Sequence, residues 1–141
     1  MINTTLSNSS SPSLPALPLL SSLSDEGKIL LEKSITISPK SVWRYEVYLE
    51  IYNKLIIRLS ASPWVDLYIL DSVNYNHWRH GGSASAYVIE ERKNILTKVF
   101  TAPADDNYYI IIYNPWDYLK SNVNIEIRVI RGLGDVYKRQ V

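Results

Sequence analysis

The sequence contains no cysteine, which removes disulfide staples, thiolate nucleophiles and cysteine-ligated zinc together and leaves the redox compartment open. It also lacks an excess of either charge. Fifteen Lys and Arg stand against 14 Asp and Glu, a net +1 over 141 residues, too weak a field to draw in nucleic acid or an anionic bilayer. No apolar run approaches the roughly 20 residues that a membrane-spanning helix requires, so no span is expected within these residues. Phenylalanine occurs once and histidine twice. The aromatic content is instead 11 Tyr and four Trp, residues that suit half-buried pleated surfaces and exposed contact surfaces alike.

With 46% hydrophobic residues, the chain can bury one core of ordinary size. Residues 1–27 are rich in Ser, Thr, Pro and Asn, a composition that cannot repay the entropy of ordering and is expected to form a disordered linker. This stretch holds the sequons Asn3-Thr4-Thr5 and Asn8-Ser9-Ser10, meaningful only outside the cytoplasm and equally expected by chance in an Asn/Ser-rich tract. Residues 14–23 are mildly apolar, but Pro15 and Pro18 interrupt them and no basic region precedes them. Any export signal is therefore expected further upstream. At the other end, residues 135–140 read Asp-Val-Tyr-Lys-Arg-Gln, which resembles the in-frame translation of a sequencing-library adaptor. Residues 132–141 are set aside on that ground, a genuine basic tail being the alternative. The domain is expected over 28–131.

Inside those bounds the hydrophobic period is two. Trp43, Tyr45, Val47, Leu49 and Ile51 alternate with Arg44, Glu46, Tyr48 and Glu50, placing one row inward and one outward. Asn53-Lys54 offers a turn, after which Leu55, Ile57 and Leu59 read as the partner of a hairpin. Pro63 punctuates, Val65, Leu67 and Ile69 form another row, and residues 87–90, 95–101 and 108–113 are further strands. Val123, Ile125, Ile127 and Val129 alternate with polar residues in the last one. With residues 29–37 this makes about eight short strands and no amphipathic helix, the pattern of an all-β, antiparallel sandwich. Residues 71–86 are expected to form a long loop, the first place to look for binding groups.

The order of the motifs is similar to one family. Residues 55–70 (Leu-Ile-Ile-Arg-Leu-Ser-Ala-Ser-Pro-Trp-Val-Asp-Leu-Tyr-Ile-Leu) are followed by Asn74-Tyr-Asn-His-Trp, then by residues 100–115 (Phe-Thr-Ala-Pro-Ala-Asp-Asp-Asn-Tyr-Tyr-Ile-Ile-Ile-Tyr-Asn-Pro). This succession resembles the small jelly-roll domains of the bacterial and archaeal pre-peptidase C-terminal (PPC) type, which are similar to the Golgi-dynamics (GOLD) domain. The resemblance covers about residues 35–130 and implies a jelly-roll-like sandwich with Asn107 in the left-handed turn position where the family usually has Gly. It also implies an extracellular or cell-surface accessory module of a larger exported protein, with no reaction and no cofactor.

Candidate chemistry is sparse. His77 and His80, with Asp71, could face one metal if their loop made a helical turn, though a solvated polar loop explains them as well. Asp66, Asp71, Asn74 and Asn76, or separately Asp105, Asp106 and Asn107, offer oxygens to calcium, but turns use the same residues. Ser72, Ser83 and Ser85 lie near the histidines without a Gly-x-Ser-x-Gly elbow, and Glu90-Glu91 is an adjacent pair rather than one facing across a cleft. Two aromatic clusters, Tyr75 with Trp78 and Trp116 with Asp117 and Tyr118, would make a sugar-stacking platform if their loops met at one end of the sandwich. Otherwise the tryptophans cap the core. The expected function is a non-catalytic extracytoplasmic interaction module whose partner is a protein or a glycan at a cell surface. The alternatives are a carbohydrate-binding module and, more distantly, a metal-dependent hydrolase.

Overall fold

The computed structural model describes residues 27–132. The linker, its sequons and the tail beyond residue 132 lie outside the described residues. Among the described residues six strands and one helix follow in order: β1 (Lys28–Ile37), β2 (Val42–Leu49), β3 (Lys54–Leu70), α1 (Ser72–Arg79), β4 (Val88–Thr101), β5 (Asp106–Tyr113) and β6 (Ser121–Ile130). All strand pairings are antiparallel.

The eight expected strands become six because two pairs of them fuse. Residues 55–59 and 65–69 are the two arms of β3, which continues through the cis Ser62–Pro63 peptide. Residues 88–90 and 95–101 likewise belong to β4, with Tyr87 just ahead of it. The first arm of β3 pairs β6 from Lys54↔Ile130 to Ser62↔Asn122, and the second pairs β5 from Asp66↔Tyr113 to Leu70↔Tyr109. β4 follows β3 along both arms, with register shifts between Ser60 and Leu67 where the pair bends. One half of the molecule is thus β1-β6-β3-β4 and the other β2-β5-β3-β4. Side chains from all six strands, among them Ile37, Leu49, Ile57, Phe100, Tyr108 and Ile127, meet in a single buried cluster, so the sheet is curled upon itself as a jelly-roll-like sandwich.

The inward rows fall where period two puts them: Val47 and Leu49, then Leu55, Ile57 and Leu59, then Val65, Leu67 and Ile69, are buried. The expected hairpin between β2 and β3 does not form. β2 pairs β5 instead, a long-range choice that local alternation cannot specify. Two turn assignments also shift. In the β2–β3 connection the left-handed residue is Tyr52 (φ 72°) rather than Asn53. Asn53 is buried, and its Oδ1 accepts from the Glu50 amide at 2.9 Å. Asn107 is not left-handed but already part of β5, opposite Tyr48.

β5 explains its own composition. Tyr108, Ile110 and Ile112 face the main core, whereas Ile111 on the other face is equally buried, in a second small cluster with Leu70 and Tyr75. A strand covered on both sides reads as a continuous apolar run rather than an alternating one. The cover on the outer face is α1.

Candidate functional site

The expected long loop contains a two-turn helix, contrary to the reading that no helix interrupts the strands. Its start is encoded locally. Asp71 is the N-cap, accepting from the Asn74 amide at 2.8 Å and the Asn74 side-chain Nδ2 at 2.9 Å, which satisfies a donor that every helix N-terminus leaves open. Ser72 adds a tether to the sheet, its hydroxyl donating to Asp106 Oδ1 at 2.7 Å. Three residues on, Tyr75 turns inward and stacks on Tyr109 of β5, with centroids 3.8 Å apart and planes at 6°. Trp78, one turn further along, tilts against Tyr75 at 5.9 Å and remains exposed. Asp71, followed three and four residues later by Asn74 and Tyr75, was the available signal for this helix.

Two guanidinium groups close on the same ring. Arg44 of β2 lies 5.8 Å and Arg79 of α1 6.0 Å from the Tyr75 centroid, within the range of cation–π attraction, worth about 0.5–1 kcal/mol at exposed sites. Below them, burial and then Glu46 push the Tyr109 phenol up from its ordinary pKa. The result is a surface of one stacked tyrosine pair, with Tyr75 buried and Tyr109 half-buried, one exposed tryptophan and two exposed arginines on the outside of the sandwich.

The two aromatic clusters do not meet. Tyr75 sits over Tyr109, whereas Trp116 follows the far end of β5. The four residues from Tyr109 to Tyr113 alone extend about 13 Å along the strand. Trp116 packs on Trp64 with centroids 4.6 Å apart and donates from Nε1 to the Trp64 carbonyl at 3.2 Å. Asp117 pairs with Lys40 at 3.3 Å, and Tyr118 is 92% exposed. This loop is shaped by Asn114, which is wholly buried and donates to the carbonyls of Ile37 at 2.9 Å and Leu119 at 2.8 Å. Its Oδ1 accepts from the Trp116 amide at 2.9 Å. A single platform made of Tyr75, Trp78 and Trp116 is therefore not present.

The other candidates are engaged structurally. His80 ends α1, its Nδ1 2.8 Å from the Asn76 carbonyl, while His77 lies exposed in the last turn. Among the described residues no group of three or more His, Asp or Glu side chains could hold a metal ion. Asp71, His77 and His80 are thus not gathered. Asp105 accepts from the Ile51 amide at 2.7 Å, and Asp106 holds Ser72 and the Asn107 amide. Asp66 is buried and accepts from the amide of Arg92, a left-handed residue (φ 58°) in β4, at 2.9 Å. Tyr68 donates to Glu91 at 3.0 Å and to Asp66 at 3.4 Å, and its pKa is driven well up, first by burial and then by Glu91. Glu90 pairs with Lys98 at 3.2 Å and Lys93 at 3.4 Å. No helix among the described residues is long and apolar enough to cross a membrane.

No family model matches the chain, and no curated protein matches it in sequence. Solved structures share its fold. One is Aeromonas hydrophila PliG, a periplasmic lysozyme inhibitor of g-type lysozyme, with a TM-score of 0.55 and 9% identity, covering 71% of this chain and 85% of that one. Another is the Yersinia pseudotuberculosis-derived mitogen YPM, with a TM-score of 0.52 and 14% identity, covering 76% and 90%. At these identities the likeness is one of fold alone: the chain is an antiparallel β domain of jelly-roll-like architecture.

Proposed function

We propose that this domain is a non-catalytic, protein-binding accessory module of a larger surface or secreted protein, acting outside the cytoplasm in the manner of PPC- and GOLD-like domains. The observation that carries the reading is the solvent face of α1. It presents exposed Trp78 beside Arg79 and Arg44 over a rigid tyrosine stack. Tryptophan, tyrosine and arginine on a rigid support are the residue types that dominate protein interfaces. The polar groups Asp66, Asp71, Asp106 and Ser72 are taken up by hydrogen bonds that fasten β4 and α1. The periplasmic inhibitor among the structural neighbours accords with a binding role and an extracytoplasmic location, at the level of fold.

Of the two α1 aromatics named for the carbohydrate alternative, Trp78 alone is exposed. Retention of the labelled full chain by bacterial envelope fractions separates the two. Binding is expected to survive periodate oxidation of the fraction, to vanish after its protease digestion and to weaken in Trp78→Ala. Binding that resists protease and is lost after periodate assigns a glycan and overturns the reading.

A further inference from the structure

Resting on the reading of the α1 face as a protein-binding surface, we propose that its partner is an acidic polypeptide segment whose carboxylates are shared between Arg44 and Arg79. Several cations of this protein are held by carboxylates. Arg58 and Arg128 contact Glu126, Lys93 and Lys98 contact Glu90, and Lys40 contacts Asp117. Arg44 and Arg79 are in no ion pair among the described residues, both are exposed, and the fold brings them from positions 35 residues apart in the chain to one ring. Two like charges converging on one ring repel each other, and an anion placed between them turns that repulsion into attraction. Each guanidinium also presents a planar fork of N–H donors that matches a carboxylate two bonds at a time. Glu46, two residues from Arg44 in β2, is engaged by the Tyr109 hydroxyl. His77 in the last turn of α1 and His80 at its C-cap add no negative charge.

The geometry favours a peptide over a sugar acid. Tyr75 is 4% exposed and one of its faces is closed by Tyr109 at 3.8 Å, so it cannot serve as a stacking shelf. What this surface offers is charge and hydrogen-bond donors beside a single apolar ring, which suits carboxylates next to an apolar side chain.

The test uses the full chain and fluorescence anisotropy of short labelled peptides, one rich in glutamate, one in glutamine and one in lysine, with oligogalacturonate as the acidic glycan. The glutamate peptide is expected to bind and the others not, with affinity falling as salt rises from about 50 to about 300 mM. Arg44→Gln and Arg79→Gln should each weaken binding about two- to fivefold, and the pair about tenfold. Arg→Lys at both positions should recover part of the loss, because charge returns without the fork. Circular dichroism melting of each variant verifies that the fold is retained. Equal binding of the glutamate and glutamine peptides, unchanged binding in the folded double variant, or tighter binding of oligogalacturonate overturns the proposal. If one of these results coincides with protease-sensitive envelope binding that still depends on Trp78, only the acidic partner is lost. If envelope binding is also absent, the protein-binding reading falls with it.

Discussion

Asn114→Ala should be among the most damaging single polar substitutions in this domain. The side chain is wholly buried and makes three hydrogen bonds: two donated to the carbonyls of Ile37 and Leu119, and one accepted from the amide of Trp116. Alanine removes all three and leaves those backbone groups without their partner, two of them in the loop that also seats Trp116 against Trp64. At about 1 kcal/mol per lost bond, rising where a buried partner stays unsatisfied, the expected cost is about 3–4 kcal/mol. Against a typical domain stability of about 5–15 kcal/mol that is a large fraction, and it corresponds to a fall in Tm of roughly 10–20 °C. Urea denaturation followed by circular dichroism and by tryptophan fluorescence reads it directly, with Trp64 and Trp116 reporting on the loop itself. Asn124→Ala on the exposed face of β6, where the side chain bonds only Ser34, is the control and should cost about 0.5 kcal/mol or less. A loss below about 1 kcal/mol for Asn114→Ala would refute the assignment of this residue as the tie between the β1, β5 and β6 ends.

Tyr75→Ala should remove the anchor of α1 and cost about 3 kcal/mol, with loss of amide exchange protection over Ser72–Arg79, whereas Tyr75→Phe keeps the stack on Tyr109 and should stay within about 1 kcal/mol of the parent; equal effects of the two would contradict an anchor that works through the ring. Glu90 makes stability depend on acid. Burial raises its pKa, but Lys98 and Lys93 outweigh that and hold it below the ordinary value, so its contribution is fully present above the unfolded-state pKa and is lost as pH falls through the lower folded one. Urea midpoints measured as pH falls below the ordinary glutamate pKa should therefore fall less steeply in Glu90→Gln than in the parent, and parallel curves would show that the Lys98 and Lys93 contacts do not act on folding.

The inward rows were legible because burial on one face of a strand leaves a period of two, and Val47, Leu55, Ile57, Val65 and Val123 all report it. Candidate site residues were legible as residue types but not as a place. Tyr75 and Trp78 belong to one cluster and Trp116 to another, because the ends of β5 that carry them are separated by the length of the strand. Arg44 was read only as the polar half of an alternating row, since nothing local to β2 reveals that a helix from residue 72 onward will bring Tyr75 and Arg79 to it.

By itself the sequence determined the all-β class and the faces of most strands, each of which depends on interactions between near neighbours in the chain. The tertiary structure alone decided that eight apparent strands are six, that β2 pairs β5 rather than β3, and that Ile111 and Leu70 need α1 to cover them. Those outcomes depend on which distant segments meet, and a hydrophobic pattern specifies that a face must be buried without specifying what buries it.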